Sequence, residues 1–112
     1  MSVIDVNAQL HDVFDIPMYA PAETADDSPK PILLGDALVK VLINKLNGEK
    51  DVTGDESFTR FQLAQRIVGA MRGDGFVNLT AEDVVKLKKL SGLAYQSAGV
   101  LGPIWDLLDP AD

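Results

Sequence analysis

Residues 33–47, LLGDALVKVLINKLN, decide the fold class because their leucines recur every fourth position. The repeating positions are Leu34, Leu38, Leu42 and Leu46. This spacing lines up apolar side chains on one face of an α-helix. Val39 and Ile43 extend the apolar surface to a second flank, and Asn47 with Gly48 predicts where the helix ends. The stretch therefore predicts a centrally placed helix in a mainly α fold.

Two further helix starts follow, and both carry the same capping pattern. Residues 53–56 (TGDE) and 80–83 (TAED) match [ST]-x-x-[DE], in which a hydroxyl and a carboxylate satisfy free backbone N–H groups. They predict helices over 54–72 and 81–96. Between these helices, FVNL at 76–79 is interpreted as a very short strand or an anchored connection.

Each of these two helices has an apolar stripe at helical spacing. In the second helix the predicted buried stripe is Phe58, Phe61, Ala64, Val68 and Met71, with Leu63 and Ile67 on its flanks. The predicted solvent side includes Arg60, Gln62, Gln65 and Arg66. In the third, two neighbouring lines are predicted, Val84, Leu87 and Ser91, and Val85, Leu90 and Ala94. The core positions expected to be most sensitive to truncation are Leu38, Leu42, Phe61, Val68, Leu87 and Trp105.

The stretch GLAYQSAGVLGPIW, residues 92–105, is rich in small residues. It lacks the spacings G-x-G-x-x-G and G-x-x-x-x-G-K-[ST] that bind phosphates, so it predicts a close helix seam instead. Gly92 is expected to end or bend the third helix. Pro103 suits the first turn of a short last helix over 103–108.

The beginning of the chain differs in composition from the rest. Its first part alternates weakly, and short extended segments are predicted near 3–6 and 10–14. Residues 20–31 (APAETADDSPKP) contain three prolines and three acids, which is typical of a solvated linker. We divide the chain into an extended arm with its linker, 1–31, and a helical domain, 32–112. The arm either packs on its own helices as an edge strand or docks on another subunit.

The net charge of −7 is concentrated at the two ends of the chain. Residues 1–29 hold six acids and no Lys or Arg, and residues 106–112 add three aspartates. The middle, 30–105, has ten basic residues against eight acids. Binding of nucleic acid is not expected, because phosphate recognition uses clustered Lys and Arg. The acidic ends favour either solubility or recognition of a basic protein partner.

The sequence has little of the chemistry that catalysis or metal binding needs. It contains no cysteine and a single histidine, His11, which we expect at the surface. The oxygen-rich loop 47–57 does not match the EF-hand calcium pattern, and the RGD tripeptide at 72–74 lies at a predicted helix end. We therefore predict no catalytic residue, no cofactor and no metal site, and a protein that is not an enzyme.

The order of these motifs resembles a group of small proteins, most of unassigned function, encoded by tailed phages and prophages. The resembling segments are DVNAQLHDVFD, LGDALVKVLINKL, RFQLAQRI, LTAEDVVKLKKLSGLAY and GPIWDLL, which cover most of the chain after residue 30. These are packing and capping motifs, so the resemblance transfers no catalytic residue. It implies a phage context, with the protein in the host cytoplasm or in a virion. No apolar run is long enough to span a membrane, and the N-terminus lacks a basic n-region.

Three functions fit these observations. The first is a non-enzymatic accessory protein that binds a host or phage protein; inhibition of a host protein is one effect that such binding could have. The second is a virion or tail-assembly component whose arm contacts other subunits. The third is an oligomeric small-ligand binder using Arg60, Arg66 and Arg72, although these spread around their helix. The candidate partner-binding residues lie on the acidic arm and on a lysine face: Asp5, Asp12, Asp15, Lys86, Lys88 and Lys89.

Overall fold

Four helices and two small antiparallel sheets form the part of the chain that the computed structural model describes, residues 2–20, 28–44, 52–95 and 98–108. In chain order the elements are β1 (Ser2–Asp5), β2 (Tyr19–Ala20), β3 (Lys30–Pro31), α1 (Leu34–Ile43), α2 (Gly54–Arg72), β4 (Phe76–Leu79), α3 (Ala81–Ala94) and α4 (Ala98–Leu108). The predicted mainly α fold is confirmed. Predictions for Leu46 and for the first part of the 47–57 loop fall outside the described residues.

Helix α1 lies at the centre of the core, as its leucine repeat predicts. Leu34, Leu38 and Leu42 are all buried. The helix is shorter than the predicted 33–47, because it ends at Ile43 and Asn44 adopts an extended backbone conformation. Asparagine competes with the helix for backbone hydrogen bonds, which favours an end at that position. Ile43 is 59% exposed, so it does not extend the buried surface as predicted.

The capping pattern is complete in one helix and half formed in the other. At α3 the Thr80 hydroxyl accepts from the Asp83 N–H and the Asp83 carboxylate accepts from the Thr80 N–H, both at 3.1 Å. At α2 the Thr53 hydroxyl accepts from the Glu56 N–H at 3.1 Å. The Glu56 carboxylate binds Arg60 and Lys86 instead of returning to its own cap.

The buried face of α2 is not the predicted aromatic stripe. The residues of this helix that are buried are Arg60, Leu63, Ala64 and Ile67. Phe58 and Phe61 are 59% and 50% exposed and stack on each other at 6.5 Å between ring centroids. Arg60 was predicted in solvent but is only 9% exposed. The helix is rotated so that Leu63 and Ile67, predicted as flanks, face the core. Val68 is half-buried at the edge of this face.

The N-terminal segment packs on the helices of its own chain. β1 pairs antiparallel with β4, with Ser2 opposite Leu79 and Asp5 opposite Phe76, which confirms the short strand at 76–79. Ile4, Val6 and Leu10 lie in the same hydrophobic core as the helices; they are the apolar residues of this segment that are fully buried.

The seam between α3 and α4 forms around Gly92. A Cβ atom at this position would lie 3.8 Å from Cζ2 of Trp105, an ordinary van der Waals distance, so the two helices meet at Gly92 through the Trp105 side chain and not by the predicted close approach of their backbones. Helix α3 continues through Gly92 and ends at Ala94, two residues before the predicted end, whereas α4 begins at Ala98 and not at the predicted position 103. Pro103 lies inside α4 and has no N–H to donate to the carbonyl of Gly99, an exposed residue one turn earlier. Trp105 is 40% exposed at the edge of the core.

Candidate functional site: an ordered loop and a helix groove

The segment 11–17, HDVFDIP, forms a hydrogen-bonded loop in the part of the chain between β1 and β2; we call it the 11–17 loop. Its two ends meet at an antiparallel bridge between His11 and Pro17. Below that bridge the Met18 N–H donates to the Leu10 carbonyl at 2.8 Å. The segment predicted as extended over 10–14 therefore turns back on itself.

The side chain of Asp12 holds the loop in shape. Its Oδ1 atom accepts from the backbone N–H groups of Phe14 and Ile16, at 2.9 and 3.0 Å. Its own N–H donates to the Ile16 carbonyl, and its carbonyl accepts from the Asp15 N–H, both at 2.9 Å. Asp15 has a φ of 62°, a conformation that aspartate tolerates because its short side chain bonds locally. Four hydrogen bonds to one residue thus fix the loop backbone.

The base of the loop is anchored in the core. Leu10 is 1% exposed, and its N–H donates to the Ile32 carbonyl at 2.8 Å. Gln9 donates from Nε2 to the Met18 carbonyl at 2.9 Å and pairs with Leu33 in an isolated bridge. The loop therefore stands on a fixed base beside the start of α1.

The tip of the loop presents apolar side chains to solvent. Val13 is 83% exposed, Phe14 80% and Ile16 57%. The three residues lie within four positions of one another, and exposed apolar side chains that are grouped commonly mark an interaction site. The carboxylates of Asp12 and Asp15 flank them, so the tip combines an apolar centre with negative charge.

A cleft of about 520 Å³ separates the loop from α4 and is also acidic. Its lining includes Asp12 and Asp15 from the loop and Asp106 from α4, and no Lys or Arg belongs to it among the described residues. His11 lines the same cleft. It is exposed, as expected, and its Nδ1 lies 3.0 Å from the Gln9 carbonyl oxygen.

The remaining acidic candidate, Asp5, belongs to a different place. It ends β1, and its Oδ1 accepts from the Asn7 N–H at 3.0 Å in the turn that follows. The structure therefore brings Asp12 and Asp15 together but not Asp5. Asp12 shapes the loop from within, whereas Asp15 is exposed at the surface.

The second feature is a groove of about 450 Å³ between α2 and α3; we call it the α2–α3 groove. The residues that line it are Glu56, Arg60, Ala81, Glu82, Val85, Lys86, Lys89 and Leu90. Lys86 Nζ lies 3.3 Å from Glu56 Oε1, and Arg60 Nε lies 3.1 Å from the same oxygen. This ion cluster joins the start of α2 to the middle of α3. Lys86 was predicted to face outward and is instead half-buried.

The ion cluster shifts the titration of its carboxylate. Burial raises the pKa of Glu56, but hydrogen bonds from Arg60 and Lys86 outweigh it and hold the pKa below its ordinary value of 4.5. Asp83 behaves in the same way, because its bonds from Thr80 and the charge of Arg66 outweigh burial and lower its pKa from 3.8. A carboxylate with a depressed pKa stabilises the folded state above its unfolded pKa.

We expect the contribution of Glu56 to stability to disappear in acid. It is present above about pH 4.5 and is lost as the pH falls through the lower folded pKa. The difference in free energy of unfolding between the wild type and Glu56→Gln, measured in urea, should therefore shrink steadily below that pH. Glu82→Gln removes an exposed carboxylate from the same groove and is the control. A Glu56→Gln difference that does not change with pH would contradict the assignment.

The three candidate lysines do not lie on one surface of the structure. Lys86 and Lys89 line the α2–α3 groove, and Lys89 is exposed. Lys88 points to α4 instead, where its Nζ lies 5.2 Å from the ring centre of Trp105 in a cation–π contact. Only two of the three therefore belong to one surface.

The three arginines of α2 also lie apart. Arg60 is held by Glu56, and Arg66 binds Asp83 at 3.4 Å and the Asn78 carbonyl at 2.5 Å. Arg72 is exposed at the end of the helix. They form no shared anion site of the kind that the small-ligand hypothesis needs.

Within residues 2–20, 28–44, 52–95 and 98–108, no group of three or more His, Asp or Glu side chains is arranged to hold a metal ion. No helix in the same ranges is both long and apolar enough to cross a bilayer.

Sequence reasoning missed the most exposed part of the site, Val13, Phe14 and Ile16. The available signal was the placement of Asp12 and Pro17 around them, since both residue types favour turns. It also missed the ion cluster of the groove, although Glu56 and Arg60 stand four apart on a predicted helix, a spacing at which opposite charges pair.

The chain matches no protein-family model, and no similar curated protein or solved structure was found for it.

Proposed function

We propose that this chain is a non-enzymatic accessory protein that acts by binding another protein through the 11–17 loop. The observation that carries the proposal is a loop fixed by Asp12 that leaves Phe14 80% exposed. The phage context rests on the sequence resemblance alone. In that context the partner is a host or phage protein in the host cytoplasm, and inhibition of a host protein is the first outcome to examine.

The fixed backbone of the loop favours binding. Ordering a loop on association costs free energy, and a loop that is already ordered avoids much of that cost. Asp12 contributes four hydrogen bonds to this order, from its carboxylate and its backbone. Aromatic side chains at the centre of a contact commonly contribute most of the binding energy, which makes Phe14 the expected anchor.

The charges of the loop define the partner chemistry. Phe14 and Val13 need an apolar pocket, and the carboxylate of Asp15 stands beside them. Opposite charges around an interface accelerate association and select the correct partner. The expected partner therefore offers an apolar pocket with Lys or Arg at its rim, and the affinity should fall as salt is raised.

The test is a photo-crosslinking amino acid at position 14, in the full chain and in cells that naturally express it. We expect a defined protein adduct, with the crosslinked peptide next to Lys or Arg residues. Adding Asp12→Ala should reduce the adduct strongly, because the loop loses the two side-chain hydrogen bonds that fix it.

The matched control places the same crosslinker at position 58. Phe58 is also a phenylalanine and is 59% exposed, but it lies on α2. No adduct at position 14, or the same adducts from both positions, would overturn the proposal.

A role in virion or tail assembly is the second candidate. It is favoured by the presence, on one chain, of an acidic apolar loop tip and a groove that contains exposed Lys89. Such a pair of surfaces allows copies of one chain to associate.

A further inference from the structure

We infer that a second copy of this chain is a partner of the 11–17 loop, and that the loop docks in the α2–α3 groove of that copy. The inference rests on the proposed function, because it names a partner for the same loop. It joins two surfaces of the chain that differ in position and in charge.

The groove offers the apolar surface that the loop tip needs. Leu90 is 3% exposed at its floor, and Val85 is 65% exposed on its α3 side. Its volume of about 450 Å³ is in the range of pockets that enclose small ligands. Phe14 is therefore the expected occupant, with Val13 beside it.

The charges of the two surfaces are opposite. The groove has three cationic residues, Arg60, Lys86 and Lys89, against two carboxylates, Glu56 and Glu82. The loop carries Asp12 and Asp15 and no basic residue except His11. An apolar centre with complementary charges around it is the usual composition of a specific interface. Asp15 and Lys89, both exposed, are the expected pair at the rim.

Two other clefts among the described residues fit the loop less well than the groove does. The cleft beside α4 contains three carboxylates, Asp12, Asp15 and Asp106, which would repel an incoming acidic loop. A third cleft, on the α2 side of Arg66, offers mainly polar side chains and carries no net positive charge, because Asp83 in its lining balances Arg66. Of these three clefts, the α2–α3 groove has the apolar lining and the net positive charge that the loop tip requires.

The contact joins the 11–17 loop of one copy to the α2–α3 groove of the other, so each surface can be altered without changing the other. Phe14→Ser removes the loop anchor and leaves the groove intact, whereas Lys89→Glu reverses the groove charge and leaves the loop intact. Both side chains are exposed, so each variant should keep the wild-type circular dichroism spectrum. The readout is the light-scattering mass of the full chain over a range of concentrations, in low and high salt.

We expect the wild-type mass to rise above that of one chain with concentration and to fall again in high salt. Each variant alone should stay at the mass of one chain. An equimolar mixture of the two should recover assembly, limited to pairs, because one intact loop meets one intact groove. Phe58→Ser and Lys40→Glu replace an exposed phenylalanine and an exposed lysine elsewhere, and they should behave like the wild type.

A wild type that is monomeric at every concentration, or a variant mixture that does not associate, would overturn the inference. In either case an adduct at position 14 with a different protein would leave the proposed function standing. Absence of any adduct at that position would remove both.

Discussion

Replacing Leu87 by alanine is expected to lower the free energy of unfolding by about 2–5 kcal/mol. Leu87 is fully buried on α3, inside the core that also contains α1 and β4. Truncation removes apolar contacts and leaves a cavity that the packed neighbours fill only in part. Since a domain of this kind is typically stable by about 5–15 kcal/mol, the loss is a large fraction of the total. Urea denaturation measures it, with the slope unchanged if the folded state remains compact.

Phe61→Ala is the informative comparison, because the sequence pattern assigned Phe61 to the core as well. The side chain is 50% exposed and its ring contacts Phe58. We expect a loss of only about 0.5–1.5 kcal/mol, the range of an aromatic pair. If Phe61→Ala were to destabilise the protein more than Leu87→Ala, the face of α2 described above would be wrong.

The two positions show which parts of the core could be predicted from sequence. Leu87 belongs to a helix in which charged residues exclude most other faces, so periodicity is sufficient to identify it as buried. On α2, two apolar stripes compete, one with Phe61 and one with Leu63 and Ile67. The choice depends on how the helix packs against α1 and β4, which the local sequence does not encode. Arg60 made the buried face harder to predict, because a charged residue is expected on the solvent side of a helix. Its aliphatic stem can nevertheless be buried while its charge stays paired.

The candidate site was predictable in composition but not in shape. Sequence alone singled out Asp12, Asp15 and Lys89 as charged surface residues. It did not predict that Asp12 would fold the chain back over four residues, because alternating apolar residues there also fit a strand. The α2–α3 groove needs two helices brought side by side, so no single stretch of sequence describes it.

Gly35→Ala is expected to destabilise the protein by about 1–3 kcal/mol, although alanine is the better helix former. Gly35 lies in the first turn of α1, where its N–H donates to the Val6 carbonyl at 2.8 Å. A Cβ atom there would lie 2.9 Å from that same carbonyl oxygen and would also meet the side chain of Met71. Methionine can move aside, but the Val6 backbone cannot do so easily, because its own N–H is bonded to the Gly75 carbonyl at 2.8 Å.

Gly69→Ala is expected to change the free energy of unfolding in the opposite direction. Gly69 is an exposed residue inside α2, and a Cβ atom added there meets nothing within 4 Å. The substitution should therefore raise the free energy of unfolding by about 0.5–1 kcal/mol, the helix-interior penalty of glycine. Denaturation of the two variants side by side separates helix propensity from packing. Stabilisation by both would show that the N-terminal segment does not pack against α1 at Gly35, and would remove the fixed base on which the 11–17 loop stands.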